Sequence, residues 1–72
     1  MDIKIGGLYR HYKNKLYKVI GIAKDCNTFE DIVVYEAQYE NPLGKLWVRP
    51  LKKFLEEVEI DGKKVKRFIL VT

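Results

Sequence analysis

The chain has 72 residues, 33% of them charged and 47% hydrophobic, a balance typical of one small folded domain, which we place at residues 1–72. Its formal net charge is +4, and its single cysteine, Cys26, rules out an internal disulfide. No apolar run is long enough for a signal peptide or a membrane span, so we expect a soluble, cytoplasmic protein that does not bind membranes.

The N-terminal part of the chain predicts a β-hairpin. Apolar and polar residues alternate at 8–12 and 16–23, which favours two strands, and the Lys-Asn-Lys turn between them suits a tight connection because Asn tolerates a left-handed backbone. Gly21 indicates a bulge in the second strand. The period of two places Arg10 and His11 on opposite faces of the first strand.

The next stretch predicts a loop and a third strand. Residues 24–32 break the alternation, and Thr28 and Asp31 have the spacing of a cap on one helical turn. The strand at 32–39 that follows is expected to carry its core residues on one face, namely Val33, Tyr35, Ala37 and Tyr39.

The second half begins with a proline- and glycine-containing turn and a short strand at 46–49. Pro50 ends that strand and suits the start of a helix, and apolar residues follow at helical spacing. We expect only a short helical or 3₁₀ turn near residues 50–57, because the order of lysines and glutamates opposes the helix dipole.

The C-terminal segment contains the dipeptide Asp61-Gly62, which is typical of a two-residue hairpin turn. The predicted register pairs Ile60 with Lys63, Glu59 with Lys64, Val58 with Val65 and Glu57 with Lys66. A bulge or twist near Arg67 would then turn Phe68 and Leu70 inward. Five or six short strands with one helical turn predict a mainly antiparallel all-β fold, a small SH3-like barrel.

Charge is unevenly distributed along the chain. Residues 1–24 contain six basic residues and one acid, 25–40 contain five acids and no base, 41–55 contain four bases and no acid, and 56–72 contain four of each. In a small domain this layout can produce one positive and one negative flank, or it can serve only solubility.

Several motifs occur in a defined order along the chain. They are Tyr9-Arg10-His11-Tyr12-Lys13, Val33-Val34-Tyr35, Trp47-Val48-Arg49-Pro50, Phe54 and Arg67-Phe68. In these motifs, from about Gly7 to Val71, the chain resembles a small bacterial family catalogued as domain of unknown function 1653. The resemblance implies a bacterial stand-alone domain with a compact β fold, and it names no substrate. The chain departs from the family pattern at Asn14, at 25–28 and at Lys66.

The residue types argue against catalysis. The chain has no serine, which excludes a Ser-His-acid triad, and Cys-His catalysis would require Cys26 and His11 to meet across the fold. One histidine and one cysteine give no recognisable metal-ligand spacing. We therefore expect no enzyme, no metal and no cofactor.

Two groups of residues are candidates for ligand contact. Arg10 and His11 could bind phosphate or carboxylate groups through charge-assisted hydrogen bonds, although His11 could equally be a half-buried strand residue. Trp47 and Arg49 share a strand face, where an aromatic plane beside a cation can stack a base. Tyr35 is a supporting candidate, and the tyrosines are otherwise expected in the core with their hydroxyls at the rim.

These features predict a non-catalytic binding module for an anionic partner such as RNA, DNA or a nucleotide. The alternative is a protein-protein interaction module, which could include a homodimer, since small size and exposed edge strands both favour self-association.

Overall fold

The computed structural model describes residues 3–72. Its elements in chain order are β1 (Leu8–His11), β2 (Leu16–Lys24), β3 (Asp31–Ala37), β4 (Leu46–Pro50), α1 (Leu51–Phe54), β5 (Glu57–Ile60), β6 (Lys63–Lys66) and β7 (Phe68–Leu70). The mainly antiparallel β fold predicted from the sequence is confirmed.

The strands form two sheets. The larger has the order β4-β3-β2-β1-β7, and β5 and β6 form a separate hairpin. Every neighbouring pair is antiparallel. Within residues 3–72 the sheets do not close into the predicted barrel, because β4 and β7 are unpaired edges of the larger sheet and the β5–β6 hairpin pairs only with itself.

The first hairpin has the predicted turn. Asn14 adopts a left-handed backbone with φ 65°, and the amide of His11 donates to the carbonyl of Lys15 at 2.8 Å. The β2–β3 register shifts between Val19 and Gly21, which confirms the bulge inferred from the glycine.

The loop between β2 and β3 differs from its prediction. Asp25 Oδ1 accepts hydrogen bonds from the amides of Asn27 and Thr28, so an Asx turn at the start of the loop replaces the predicted helical cap between Thr28 and Asp31. Asp31 already belongs to β3, where its carboxylate lies 2.8 Å from Lys24 Nζ. The predicted third strand was also too long, since β3 ends at Ala37.

The helix is a single turn that begins after Pro50, as the opposed charges suggested. The β5–β6 hairpin has the predicted register, with Val58 opposite Val65, and its turn uses positive φ at Asp61 and Gly62. Within residues 3–72, no helix combines the length and apolar character needed to cross a membrane.

Arg67 separates β6 from β7. Its amide donates to the carbonyl of Glu56 at 3.0 Å, after which the chain leaves the hairpin and pairs with β1. The predicted bulge is therefore a complete break, and it adds a seventh strand that places Phe68 in the core, whereas Leu70, which was also expected to turn inward, is 48% exposed.

The core lies on one face of the larger sheet, which we call the inner face and which is closed by α1. Its buried cluster consists of Tyr9, Val19, Val33, Tyr35, Phe54 and Phe68. Phe54 stacks on Phe68 with ring centroids 4.0 Å apart and an interplanar angle of 4°. The opposite face of the sheet is called the outer face.

Candidate functional site

Two of the predicted site residues approach each other over the ring of Phe68. His11 lies opposite Phe68 in the β1–β7 pair, with ring centroids 4.9 Å apart. Arg49 extends from β4, and its Cζ lies 5.7 Å from the same ring centroid. Although β2 and β3 separate β1 from β4 in the sheet, both side chains lie against the Phe68 ring on the inner face.

Arg49 is held in place without a carboxylate. It lies opposite the buried Val33 in the β3–β4 register, which directs it to the inner face. Its Nε donates to the hydroxyl of Tyr35 at 3.3 Å. Within residues 3–72, no aspartate or glutamate forms an ion pair with it. The terminal guanidinium nitrogens of this half-buried cation are therefore suited to an external anion.

His11 is half-buried and surrounded by positive charge. Its Nδ1 accepts from the amide of Lys13 at 3.2 Å, which leaves Nε2 as the free ring nitrogen. Burial lowers the pKa of His11, and the neighbouring cations Arg49, Arg67 and Lys13 lower that pKa further. The imidazole is thus kept neutral by a field that would also attract an anion.

Arg67 is a further cation of this site that was not among the residues predicted from the sequence. Its side chain is only 20% exposed and donates from Nη2 to Glu56 Oε1 at 3.0 Å. This hydrogen bond, reinforced by Lys53, lowers the pKa of Glu56. Within residues 3–72, the Nε of Arg67 is buried and has no hydrogen-bond partner. The sequence signal that could have identified Arg67 is its position after a lysine-rich hairpin and directly before the core residue Phe68. We call the neutral His11 together with the cations Arg49 and Arg67 the cationic cluster.

Tyrosines border the cationic cluster. The hydroxyls of Tyr17 and Tyr39 are hydrogen-bonded to each other, and burial together with this bond raises the pKa of Tyr17, which keeps it neutral. Lysines lie over two of the rings at the rim, with Lys15 Nζ 4.9 Å from the Tyr39 centroid and Lys13 Nζ 5.8 Å from the Tyr12 centroid. The border is therefore both aromatic and basic.

The remaining predicted residues are divided between the two faces. Trp47 lies opposite Tyr35 on the inner face, half-buried, and its Nε1 donates to the carbonyl of Gly44 at 3.1 Å. Tyr35 itself is buried and acts through its bond to Arg49. Arg10 is exposed on the outer face, since strand alternation turns it away from the buried Tyr9. The predicted pairing of Arg10 with His11 is therefore not formed.

The surroundings do not supply a metal site. Among residues 3–72, no group of three or more His, Cys, Asp or Glu side chains is placed to hold a metal ion. A surface cavity of about 530 Å³ is lined by Glu36, Tyr39, Glu40 and Lys45 among others, and its lining includes none of His11, Arg49 and Arg67. Cys26 is exposed in the loop between β2 and β3. The chemistry available at the cluster is the binding of an anion by fixed cations.

The titration of His11 tests this geometry in the free protein. We expect its pKa to lie below 6.5 and to rise in Arg49→Gln, because one source of the positive field is removed. NMR of the ring protons measures both values. Because folding lowers the His11 pKa, the unfolded chain binds a proton at a higher pH than the folded chain does. Stability from this group is therefore complete above about pH 6.5 and declines as the pH falls towards the folded pKa. An unchanged pKa in Arg49→Gln would place the two side chains apart.

Comparison with known proteins gives one family. A family model described as protein of unknown function (DUF1653) matches residues 7–70. The fold is similar to the crystal structure of a DUF1653 protein from Bordetella bronchiseptica, with 33% sequence identity and a TM-score of 0.88, covering 97% of this chain and 88% of that one. A search of curated proteins finds no match. The chain therefore belongs to the DUF1653 family.

Proposed function

We propose that this chain is a non-catalytic binding module that recognises the phosphate groups of single-stranded nucleic acid or of a nucleotide through the cationic cluster. The observation that carries the proposal is Arg49, a half-buried guanidinium oriented by Tyr35 and free of any ion pair within residues 3–72. A fixed cation in a partly desolvated position favours an anion more strongly than a mobile surface lysine does.

The neighbouring groups favour a phosphate with an aromatic base over a simple anion. His11 can donate from Nε2 to a phosphate oxygen, since its Nδ1 is already occupied. Tyr12 lies beside His11 with ring centroids 4.4 Å apart, and Trp47 lies on the same face as Arg49. Aromatic rings next to fixed cations are what single-stranded nucleic acid binding uses.

We also place the protein in a bacterial cytoplasm. Two findings support this: the similar structure comes from Bordetella bronchiseptica, and the fold has only one cysteine and needs no disulfide.

Fluorescence anisotropy with a labelled oligothymidylate of about ten nucleotides tests the proposal. We expect binding at low salt that weakens as salt increases, with a log–log slope of about −1.5 to −2, because two or three cations would neutralise phosphates of a single strand. If a mononucleotide competes with the probe and the same concentration of inorganic phosphate does not, the protein contacts the base as well as the phosphate. An oligouridylate probe compares RNA with DNA.

The proposal fails if no anisotropy change occurs at low salt with protein at about 1 mM, because even weak nonspecific binding to phosphates has a dissociation constant well below that protein concentration. A change without salt dependence would also contradict it, because phosphate neutralisation must release counterions.

A further inference from the structure

One edge of the larger sheet is open and apolar. β4 pairs with β3 on one side only, and its other side is an edge of the sheet. Val48, at the middle of this strand, is 66% exposed, and Leu46 is exposed as well. Edge strands are usually protected by outward charges, a bulge or a covering segment. Within β4 the protective features are Pro50 at its end and the inward-facing charge of Arg49, and the outward-facing Leu46 and Val48 carry none.

The backbone of β4 presents hydrogen-bonding groups along this edge. Lys45, opposite Ala37, accepts from the Ala37 amide at 2.8 Å, so Lys45 directs its backbone towards β3. The direction of the backbone hydrogen-bonding groups alternates from residue to residue along each strand of an antiparallel pair. The N–H and C=O groups of Leu46 and Val48 and the C=O group of Pro50 therefore point away from β3. Within residues 3–72, no turn or loop hydrogen bond involves the backbone of Leu46 or Val48, whereas the carbonyl of Pro50, the N-cap residue of α1, accepts the first bond of that helix. The amides of Leu46 and Val48 are therefore available to another strand.

A two-fold axis at Trp47, Val48 or Arg49 would pair three or more residues of β4 with a second copy of the strand, and the side chains favour one of these three registers. A two-fold axis at Trp47 would place Lys45 opposite the second copy's Arg49, and an axis at Arg49 would place two arginines opposite each other. Like charges directly opposite are destabilising.

An axis at Val48 creates no like-charge pair. It places Val48 opposite itself and Leu46 opposite Pro50 on the outer face, and Trp47 opposite Arg49 on the inner face, where a cation can lie over the indole ring.

From this complementarity we infer that two copies of the chain associate through antiparallel β4 strands centred on Val48. The contact forms two backbone hydrogen bonds between the Val48 residues, because the Pro50 carbonyls that lie opposite the Leu46 amides already accept the first bond of α1. The larger sheets become one continuous ten-stranded sheet, and the inner faces of both copies meet at the axis. The inference does not depend on the proposed ligand.

Sedimentation of the ligand-free protein tests the inference. We expect dimers to increase between about 10 µM and 1 mM, the range typical of a small interface. Val48→Lys and Val48→Glu should each weaken association at least tenfold, because each variant puts two like charges opposite each other at the axis. An equimolar mixture of the two variants should associate at least tenfold more tightly than either alone, since the axis then joins a lysine to a glutamate.

Val71→Lys and Val71→Glu are matched controls, because Val71 follows β7 at the other edge of the sheet and is 45% exposed. They should dimerise like the unmodified chain, and circular dichroism confirms that all four variants are folded. A monomer throughout the range, or Val48 variants that dimerise normally, would overturn the inference. Failure of the mixture to form heterodimers would overturn the Val48-centred register. All of these measurements are made without an oligonucleotide, so they test self-association separately from the proposed phosphate binding.

Discussion

Replacing Arg49 with glutamine is expected to weaken oligonucleotide binding about ten- to hundredfold at low salt, the equivalent of losing one charge-assisted contact of about 1.5–3 kcal/mol. The expectation rests on its position: the guanidinium is fixed by Tyr35 and shares the Phe68 ring with His11. Arg49→Gln should also reduce the salt slope by roughly 0.7, because one phosphate contact of a single strand is lost.

Arg10→Gln is the matched control for this experiment. It removes the same charge from the same sheet, but Arg10 lies exposed on the outer face. We expect its affinity to stay within about twofold of the unmodified chain, since only the long-range field changes. Arg49→Lys separates charge from geometry, because lysine keeps the charge and loses the planar fork of donors. Equal losses in Arg49→Gln and Arg10→Gln would mean that net charge alone attracts the oligonucleotide.

Replacing Phe54 with alanine is expected to destabilise the fold by about 3–5 kcal/mol. Phe54 is 1% exposed and contacts rings on three strands, stacking on Phe68 and packing edge-on against Tyr9 and Tyr35. Domains of this size have little stability in reserve, so the loss would leave much of the chain unfolded at 25 °C.

Urea unfolding followed by circular dichroism measures this effect. Phe29→Ala is the matched control, because Phe29 is 75% exposed and sits in a loop at φ 62°. It should change the free energy of unfolding by less than about 0.5 kcal/mol. A Phe54→Ala protein as stable as Phe29→Ala would contradict the packing described for the inner face.

Local signals in the sequence predicted local structure correctly. Asp61-Gly62 specified the register of the β5–β6 hairpin, because a two-residue turn fixes which residues face each other. Gly21 marked the bulge, and the turn at Asn14 has the left-handed backbone that asparagine tolerates.

Long-range features could not be predicted in the same way. Whether β4 and β7 meet to close a barrel depends on sheet curvature and on the path of the chain after Arg67, neither of which can be inferred from a short stretch of sequence.

One local feature was also missed. The Asx turn at Asp25 was not predicted because the Thr28 spacing suggested a different cap. Competing side-chain bonds to the backbone decide such loops.

For the candidate site, the sequence named His11 and Arg49 but could not show that both lie against the Phe68 ring. Their proximity depends on Phe68, which reaches them only because β7 pairs with β1 across most of the chain length. The position of Arg10 outside the cationic cluster, in contrast, could have been predicted, because strand alternation puts Arg10 and His11 on different faces of β1. Arg67 was missed because its burial follows from the break between β6 and β7.

The pKa of His11, measured by NMR with and without an unlabelled oligothymidylate, tests most directly whether the cationic cluster binds phosphate. The chain has one histidine, so its ring signal needs no assignment, and a phosphodiester strand has no group of its own that titrates near neutral pH. We predict a pKa below 6.5 in the free protein and a clear rise on binding, because a phosphate beside the ring stabilises the imidazolium. A bound state in which the His11 pKa is unchanged would contradict this account of the site.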